Sequence, residues 1–153
     1  MNLLFVCTGN TCRSPMCEGY LKSLCAKADR TDLSVSSAGL FAEGGQPASA
    51  NAVQTMRKYG IDLSGFRNRQ LTKQMIADAG LIVAMTRSHR IRIGGIEPQA
   101  LKKTHLLLEY ADRPGADVAD PFGGSVDVYG DCFSEMKSAL DNLFLDLIGK
   151  HST

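Results

Sequence analysis

The sequence predicts an α/β protein with a single domain, residues 1–153, in which helices cover both faces of a parallel sheet. Short apolar runs typical of buried strands alternate along the chain with amphipathic helical patterns. At 153 residues the chain is long enough for one hydrophobic core and short for two. Its composition, 44% hydrophobic and 22% charged residues, is that of a globular protein and excludes a disordered or fibrous chain.

The chain opens with a strand, a tight polar loop and a helix. Residues 3–6 are continuously apolar, as expected for a strand that is buried on both faces. After the loop, Ser14 and Pro15 predict a helix start, because Ser can cap a helix and Pro suits its first position. Apolar side chains then recur at helical spacing over residues 16–25.

The remaining strands and helices alternate in the same way. Further strands or apolar runs are predicted at residues 33–38, 81–85 and 106–108. Helices are predicted at residues 48–60, 72–76 and 86–94, and from about residue 125 onward. This order favours right-handed crossovers between parallel strands. A long loop at residues 110–124 precedes the last helix, and loops of this length in compact domains are often functional.

Charge and hydropathy exclude several classes of partner. Lys and Arg number 17 against 16 Asp and Glu, so no charge excess points to nucleic acid or an anionic membrane. No apolar run approaches the roughly 20 residues of a membrane span. The apolar start has no basic leader, so no signal peptide is expected. We therefore expect a cytoplasmic protein, with a monomer as the default.

The cysteines are expected to be free thiols. They lie at Cys7, Cys12, Cys17, Cys25 and Cys132. An odd number at these spacings is a poor disulfide framework, and the spacings lack the close pairs of a zinc site. The histidines are scattered and do not make a ligand set, and no cofactor is expected. Cys17 and Cys25 fall on the apolar stripe of the first helix and are predicted core residues.

The loop between Cys7 and Arg13 has the composition of an anion-binding site. It contains Gly9 and Asn10, the two residue types that best tolerate left-handed backbone angles. Such a loop can turn successive amide N–H groups inward, and the following helix adds its positive end. Arg13 offers a planar fork for two phosphate oxygens. The loop therefore predicts a site for a tetrahedral dianion, although the nucleotide-binding pattern G-x4-G-K-[ST] is absent.

Cys7 is the candidate nucleophile of this site. The loop amides, the helix terminus and Arg13 are predicted to lower the pKa of its thiol. Ser14 is predicted to donate a hydrogen bond to the thiolate and so to help it leave in a second step. A thiolate that faces a bound phosphoryl group predicts phosphoryl transfer.

The motif C-T-G-N-T-C-R-S-P that starts at Cys7 resembles the C-x5-R-[ST] loop of the low-molecular-weight protein-tyrosine phosphatase family. The match continues in the family's order through Ser-Ala-Gly at residues 37–39, the strand at 81–85 with His89 after it, and Asp-Pro at residues 120–121. The resemblance covers nearly the whole chain. It implies a four-stranded parallel sheet, no metal, and a phosphocysteine intermediate on Cys7.

The resemblance also implies a general acid at Asp120. A carboxylic acid on a loop beside the pocket can protonate the leaving group and later take a proton from the attacking water. From the residues alone, Asp117, Asp120 and Asp127 are hard to rank, and Pro121 favours Asp120 only mildly.

Within the family, Thr11 bears on the substrate. Tyrosine phosphatases of the family usually carry Ile or Leu at this position, whereas Thr11, the stretch D-P-F-G-G-S at 120–125 and Tyr129 resemble the protein arginine phosphatase branch. A hydroxyl group suits a planar, polar guanidino group better than an aliphatic wall does. We therefore predict hydrolysis of phosphoarginine in proteins. The predicted substrate-binding residues are Thr8, Gly9, Asn10, Thr11, Cys12 and Ser14, with Leu40 and Phe122 as cleft walls by the same resemblance.

Several alternatives stay open at this point. The first is a phosphotyrosine phosphatase of the same fold, and a more distant one is a non-catalytic phosphate-binding or redox-sensing module. An arsenate reductase is disfavoured because no relay cysteines follow the third strand. Cys12 could form a reversible disulfide with Cys7. Tyr129 either lines the cleft or opens the last helix, and the arginines at 87, 90 and 92 form a solvated face or steer anions.

Overall fold

A parallel sheet of four strands organises residues 1–151, the part of the chain that the computed structural model describes. Residues 152 and 153 of the predicted domain lie outside this part. The strands are β1 (Asn2–Cys7), β2 (Ser34–Gly39), β3 (Leu81–Ala84) and β4 (Thr104–Leu106). Their order is β2-β1-β3-β4, and all pairs are parallel. The chain leaves β1 toward β2 and later returns to its other side, so a crevice opens at the carboxyl end of β1.

Helices cover both faces of this sheet. They are α1 (Arg13–Lys27), α2 (Ala50–Arg57), α3 (Lys73–Asp78), α4 (Arg87–Ile96) and α5 (Val126–His151), with 3-10 helices at Pro98–Lys103 and Leu107–Ala111. Successive residues of β1 enter different apolar clusters, because side chains alternate along a strand. Leu3 and Phe5 pack with α1, α2 and α5, whereas Leu4 and Val6 pack with α3 and α4. The predicted fold class is confirmed.

The start of α1 differs from the sequence prediction. The helix begins at Arg13 rather than at Pro15, and Cys12 occupies the cap position without a side-chain cap bond. Ser14 does not cap because its hydroxyl group lies against Cys7. Two other predicted helix starts are confirmed, since the hydroxyl groups of Thr72 and Thr86 accept the backbone N–H groups of Met75 and His89. The loop thus runs directly into the first helical turn.

Other boundaries shift by a few residues. The predicted fourth strand at 106–108 lies two residues too late, since β4 ends at Leu106 and the fully buried Leu107 and Leu108 belong to a 3-10 helix. A short apolar run fits a strand and a buried helical turn equally well. Helix α2 ends three residues before Gly60, which has a φ of +75°. Within residues 1–151, no helix is both long and apolar enough to cross a membrane.

Candidate active site

A cavity of about 220 Å³ lies at the carboxyl end of β1. It is bordered by residues 8–12, which we call the β1–α1 loop, and by part of the segment at residues 112–125, which we call the acid loop. The lining residues are Cys7, Thr8, Gly9, Thr11, Cys12, Arg13, Asp120 and Phe122. All of them were predicted as site residues. Asn10, Ser14 and Leu40 were also predicted but do not line the cavity.

A chain of hydrogen bonds fixes the orientation of the Ser14 hydroxyl group. The side-chain amide of Asn10 donates to Ser14 Oγ at 2.8 Å and to Ser37 Oγ at 2.9 Å. Because an amide nitrogen only donates, Ser14 Oγ accepts from Asn10 and its own proton is available to Cys7 Sγ, 2.9 Å away. Ser37 in turn donates to Glu18 at 2.7 Å. Ser14 is thus oriented as a donor to the sulfur.

Asn10 supports the loop from behind. Its backbone has the left-handed φ of +57° that the sequence predicted for this residue type, and its side chain is completely buried. Its side-chain oxygen accepts the backbone N–H of Arg69 at 2.9 Å. The Asn10 side chain therefore points into the protein and away from the cavity, so the predicted binding of substrate by this residue is through its backbone. Its backbone N–H points at the Cys7 sulfur.

The net pKa shift of Cys7 is opposite to the predicted one. Burial raises the pKa of this thiol, which is only 2% exposed, and this effect outweighs the contacts that lower the pKa. Those contacts are the Ser14 hydroxyl and N–H groups, the Arg13 charge and the Asn10 N–H group. These contacts follow from the loop sequence, whereas desolvation depends on burial and is not visible in it. The same contacts stabilise negative charge on the sulfur when it acts as a leaving group.

Arg13 is a buried cation with one open edge. Only 4% of it is exposed, and its Nη1 donates to the Val118 carbonyl at 2.8 Å. Its Nη2 lies farther from its neighbours, at 3.4 Å from Thr8 Oγ1 and 3.6 Å from Asp120 Oδ2. Its Nε is buried and has no partner among the described residues. A buried donor without a partner is costly, so the Nε–Nη2 edge fits an anionic ligand in the cavity.

The structure distinguishes among the three acidic residues that the sequence could not rank as the general acid. Asp120 lines the cavity with a carboxylate that is 49% exposed, and its Oδ1 accepts the N–H of Phe122 at 3.1 Å. Asp117 instead accepts the backbone N–H of Arg87 at 2.8 Å. Asp127 lies in the first turn of α5. Asp120 is the member of this trio that faces Cys7 and Arg13 across the cavity.

Thr11 and Cys12 form another part of the cavity wall. Cys12 Sγ lies 3.1 Å from the hydroxyl group of Tyr129, which also accepts from Ser49 at 3.2 Å. Tyr129 is only 2% exposed, and burial together with the Cys12 contact raises its pKa to about 12. Tyr129 therefore supports Cys12 from behind and does not line the cleft, which resolves a point that the sequence left open.

Leu40 is not a wall of the cleft. It is 7% exposed and packs with the apolar cluster that contains Leu4 and Val6. The prediction is wrong because the chain turns inward directly after β2, so that adjacent residues face opposite ways. Phe41, which the sequence analysis did not select, is 62% exposed beside the β1–α1 loop, where its N–H donates to the Thr8 carbonyl. The guanidinium of Arg92 lies 4.6 Å above its ring.

His89 contacts the cavity residue Thr8, a role that the sequence did not reveal although His89 belongs to the motif that matches the family. Its Nε2 lies 2.8 Å from Thr8 Oγ1, and the residue is 5% exposed. Burial, and then the charge of Arg13, lower its pKa to about 4, so the ring is neutral near pH 7. The signal that could have found it was the predicted helix start at Thr86. That start places residue 89 in the first turn after β3, at the carboxyl edge of the sheet.

The basic segment of α4 is less solvated than expected. Arg90 turns inward and donates to the carbonyl groups of Thr104 and Leu101. Arg87 pairs with Asp117 at 3.4 Å. The predicted solvated face is thus wrong for Arg90, because helix α4 uses this side chain to bond backbone oxygens of the neighbouring chain segment.

The cysteines outside the cavity behave as structural residues. All five are free thiols, and Cys17 and Cys25 lie in the core as predicted. Cys17 Sγ packs 3.6 Å from the sulfur of Met136. In the described part of the chain, no group of three or more His, Cys, Asp or Glu side chains could hold a metal ion.

Comparison with known proteins identifies the family. The model of the family described as low molecular weight phosphotyrosine protein phosphatase matches residues 2–152. The chain therefore belongs to this family of cysteine-dependent phosphatases, and the resemblance predicted from the sequence is confirmed.

Three individual proteins show how similar the chain is to arginine and tyrosine phosphatases. The protein-arginine-phosphatase of Geobacillus stearothermophilus is 38% identical over 141 residues, which is 92% of each chain. A YwlE arginine phosphatase whose active-site cysteine is replaced by a phosphorylated serine superposes with a TM-score of 0.90. It is 36% identical, over 96% of this chain and 95% of that chain. A low molecular weight protein tyrosine phosphatase from T. tengcongensis has a TM-score of 0.88 and 39% identity, over 95% of this chain and 99% of that one.

Proposed function

We propose that this protein hydrolyses phosphoarginine residues in proteins through a phosphocysteine intermediate on Cys7. The observation that carries the chemistry is the open Nε–Nη2 edge of buried Arg13 beside the Cys7 sulfur in one cavity. This arrangement fits a phosphoryl group whose oxygens bind Arg13 and whose phosphorus faces the sulfur. The relatives named as arginine phosphatases support the choice of substrate.

The first half of the reaction transfers the phosphoryl group to Cys7. The Cys7 thiolate attacks phosphorus, the P–N bond breaks, and the arginine side chain leaves. Asp120, in its protonated form, gives the leaving nitrogen its proton. Its exposed carboxyl group at the cavity rim is placed to reach a group that enters from solvent.

The second half of the reaction releases phosphate. The Asp120 carboxylate takes a proton from a water molecule as that water attacks the phosphorus of phosphocysteine. The P–S bond breaks and Cys7 leaves as a thiolate. The Ser14 proton and the N–H groups of Ser14 and Asn10 stabilise the charge that returns to the sulfur.

The substrate preference is proposed to depend on Thr11 and Phe122. Thr11 lies in the wall of the cavity that holds Cys7, where an aliphatic residue in its place would offer no hydrogen bond to a guanidino group. Phe122 is 73% exposed at the rim, and its ring offers a flat face on which a guanidinium can stack. Asp120 at the same rim can orient the guanidinium before it protonates the leaving nitrogen.

The test compares kcat/KM for a phosphoarginine peptide and a phosphotyrosine peptide of matched sequence, with Cys7→Ser as the blank. We expect the wild type to prefer phosphoarginine and Thr11→Ile to shift the ratio toward phosphotyrosine by about 10-fold or more, since a lost polar contact at a reacting site has this size. Thr31→Ile, at an exposed position remote from the cavity, is the control and should leave the ratio unchanged. An unchanged ratio in Thr11→Ile would discard the role of Thr11.

Phosphotyrosine is the second candidate substrate. The tyrosine phosphatase from T. tengcongensis is as similar in sequence as the arginine phosphatases, and the exposed Phe122 also suits an aromatic ring. A preference of the wild type for the phosphotyrosine peptide would select this function. Absence of Cys7-dependent turnover with both peptides would instead select a non-catalytic phosphate-binding or redox-sensing module.

We further propose that Cys7 and Cys12 form a reversible disulfide under oxidation. Both thiols are free and line the same cavity, which supports this pairing. Such a bond would protect Cys7 from irreversible oxidation. After peroxide treatment, dithiothreitol should restore the activity of the wild type but not that of Cys12→Ser. Equal recovery of both would contradict the proposal.

The compartment and assembly state are also proposals. Free cysteines throughout the described residues are compatible with a reducing cytoplasm. Because positive and negative charges nearly balance, we propose that the protein does not bind nucleic acid. We also expect a monomer. Sedimentation of the purified protein over a range of concentrations tests the monomer.

A further inference from the structure

We propose that His89 is a positioning residue that turns the hydroxyl group of Thr8 into a hydrogen-bond donor for the bound phosphoryl group. The inference rests on the proposed function only in requiring that the cavity binds phosphoryl oxygens. It assigns a task to a buried histidine that does not itself line the cavity. It also gives Thr8 a specific role within the set of loop residues predicted to bind substrate.

The geometry centres on the oxygen of Thr8. This residue lines the cavity next to Cys7, and its Oγ1 lies 2.8 Å from His89 Nε2 and 3.4 Å from Arg13 Nη2. A hydroxyl oxygen offers two lone pairs and one proton. The position of that proton therefore depends on what the two neighbouring nitrogens require.

With a neutral His89 ring, the protons around Thr8 Oγ1 can be arranged in two ways. The guanidinium of Arg13 only donates, so its contact uses one lone pair of Thr8 Oγ1. If His89 carries its proton on Nε2, the ring donates to the second lone pair, and the Thr8 proton is free to point into the cavity. If His89 carries its proton on Nδ1, Thr8 must donate to Nε2, and no proton is left for a ligand.

The surroundings of His89 favour the first arrangement. Its Nδ1 is buried and has no partner among the described residues. With the proton on Nδ1, an N–H donor would be buried without an acceptor, and orphaned N–H groups are rarer in folded proteins than orphaned acceptors. The low pKa of His89 excludes a third arrangement at neutral pH, in which both nitrogens carry protons.

A bound phosphoryl group then completes the network. Its oxygens carry negative charge and accept the Arg13 Nε and Nη2 protons on one side and the Thr8 proton on another. Thr8 accepts two hydrogen bonds while it donates this third one, which makes its proton a stronger donor. His89 thus acts on the substrate through Thr8 and not by direct contact.

The first test measures the affinity for inorganic phosphate in four variants. Thr8→Val should weaken phosphate binding about 10-fold, the usual effect of losing a hydrogen bond to a charged group. His89→Leu should weaken it by a smaller factor, because Thr8 keeps its proton but loses the ring that orients it. The double variant should bind phosphate as Thr8→Val does, because His89 acts only through the Thr8 hydroxyl group. His89→Gln should restore most of the affinity, because its amide nitrogen can donate from the position of Nε2. His105→Gln, at a half-exposed histidine outside the cavity, is the control and should bind phosphate as the wild type does.

Three outcomes would overturn the proposal. One is a Thr8→Val variant with wild-type affinity, and a second is additive losses in the double variant. The third comes from the 15N NMR signals of the His89 ring, assigned by comparison with His89→Gln. We expect the proton on Nε2 at pH 7 in the folded wild type, and a proton on Nδ1 would contradict the proposal even if His89→Leu failed to fold.

These measurements separate this inference from the proposed substrate. If neither phosphopeptide is turned over but the coupled loss of phosphate affinity appears, the proposed function fails and the role of His89 stands. If phosphoarginine is turned over but Thr8→Val and His89→Leu bind phosphate independently, the proposed function stands and the role of His89 fails.

Discussion

The two loops that border the cavity differ in how they are held. In and directly after the β1–α1 loop, Asn10, Arg13 and Ser14 are buried, and each makes a side-chain hydrogen bond of 2.8 or 2.9 Å. In the acid loop, Asp120 is half-exposed and Phe122 is 73% exposed. One loop thus presents fixed charges to the phosphoryl group, while the other presents groups that remain open to solvent.

Hydrogen bonds on both sides of its exposed segment attach the acid loop to the rest of the domain. The N–H of Val118 donates to Met85, and its carbonyl accepts from Arg13. At the other end, the Asn51 side chain donates to the carbonyl of Gly124 at 3.0 Å. Between these points the Asp120 carboxylate is half-exposed, so it is open to a leaving group that enters from solvent. This division matches chemistry in which a charge is stabilised in advance but a proton must follow a departing group.

The largest effect is expected for the nucleophile. Cys7→Ser should lower kcat/KM by about 10⁴-fold or more, because the alkoxide of serine is far less accessible than a thiolate. Cys132→Ser, a half-buried thiol outside the cavity, should stay within about 2-fold of the wild type. Steady-state kinetics on the phosphoarginine peptide measures both, and comparable losses in the two variants would contradict the assignment.

Asp120→Asn tests the acid loop. Removal of a general acid should lower kcat by about 10²- to 10³-fold. Its side chain is too exposed for the substitution to change the free energy of unfolding by more than about 0.5 kcal/mol. Asp117→Asn changes a carboxylate of the same loop that binds Arg87 instead, and it should retain near-normal kcat. If the two variants lost activity equally, the ranking of these acids would be wrong.

Substitutions of Asn10 test how much this residue contributes to the stability of the β1–α1 loop. Asn10→Gly removes the hydrogen bonds to Ser14, Ser37 and the backbone N–H of Arg69 and should lower the free energy of unfolding by about 3 kcal/mol. Asn10→Ala should cost about 1 kcal/mol more, because φ at this position is +57° and alanine tolerates it poorly. Urea denaturation of both variants measures the difference. Equal stability of the glycine and alanine variants would show that the left-handed backbone carries no cost.

The smallest effect concerns His89 and pH. Its pKa is about 4 in the folded protein and about 6.5 in an unfolded chain, so the unfolded chain binds more protons between these values. Its contribution to stability is therefore complete above pH 6.5 and is lost as the pH falls toward 4. Solvent screening reduces the full linkage value, and we expect a loss of about 2 kcal/mol.

The measurement for His89 compares unfolding free energies at pH 7 and pH 4. The wild type should lose more stability on acidification than His89→Gln does, by the contribution of this single ring. Other titrating groups are common to both proteins and cancel in the difference. Parallel pH curves for the two proteins would contradict a buried neutral histidine.

The difference between the loops also explains what the sequence could predict. The β1–α1 loop is contiguous, so Cys7, Gly9 and Arg13 predict an anion site from local backbone chemistry alone. The network behind it joins Asn10 to Ser37, far apart along the chain, and this pairing follows only from the adjacency of β1 and β2. The contact between His89 and Thr8 likewise depends on the neighbouring strands β1 and β3.

The general acid in the acid loop could not be predicted from the local sequence pattern alone. Its three acidic residues are chemically equivalent in the sequence, and the family resemblance ranked Asp120 where composition did not. The predictions for Leu40 and for the pKa of Cys7 were wrong for related reasons. Both depend on burial, which no sequence motif encodes. The order of strands and helices was predictable, because continuous apolar runs and helix caps are local signals. Boundaries such as that of β4 depend on tertiary packing.

The most direct test of the account is a rapid-quench experiment with a phosphoarginine peptide that carries labelled phosphate. Wild-type enzyme is mixed with the peptide, quenched within milliseconds, digested under conditions that preserve thiophosphate esters, and mapped by mass spectrometry. We predict transient label on Cys7, accumulating further in Asp120→Asn if hydrolysis of the intermediate slows more than its formation. Turnover of the peptide with no label on Cys7 at any quench time would contradict a phosphocysteine intermediate.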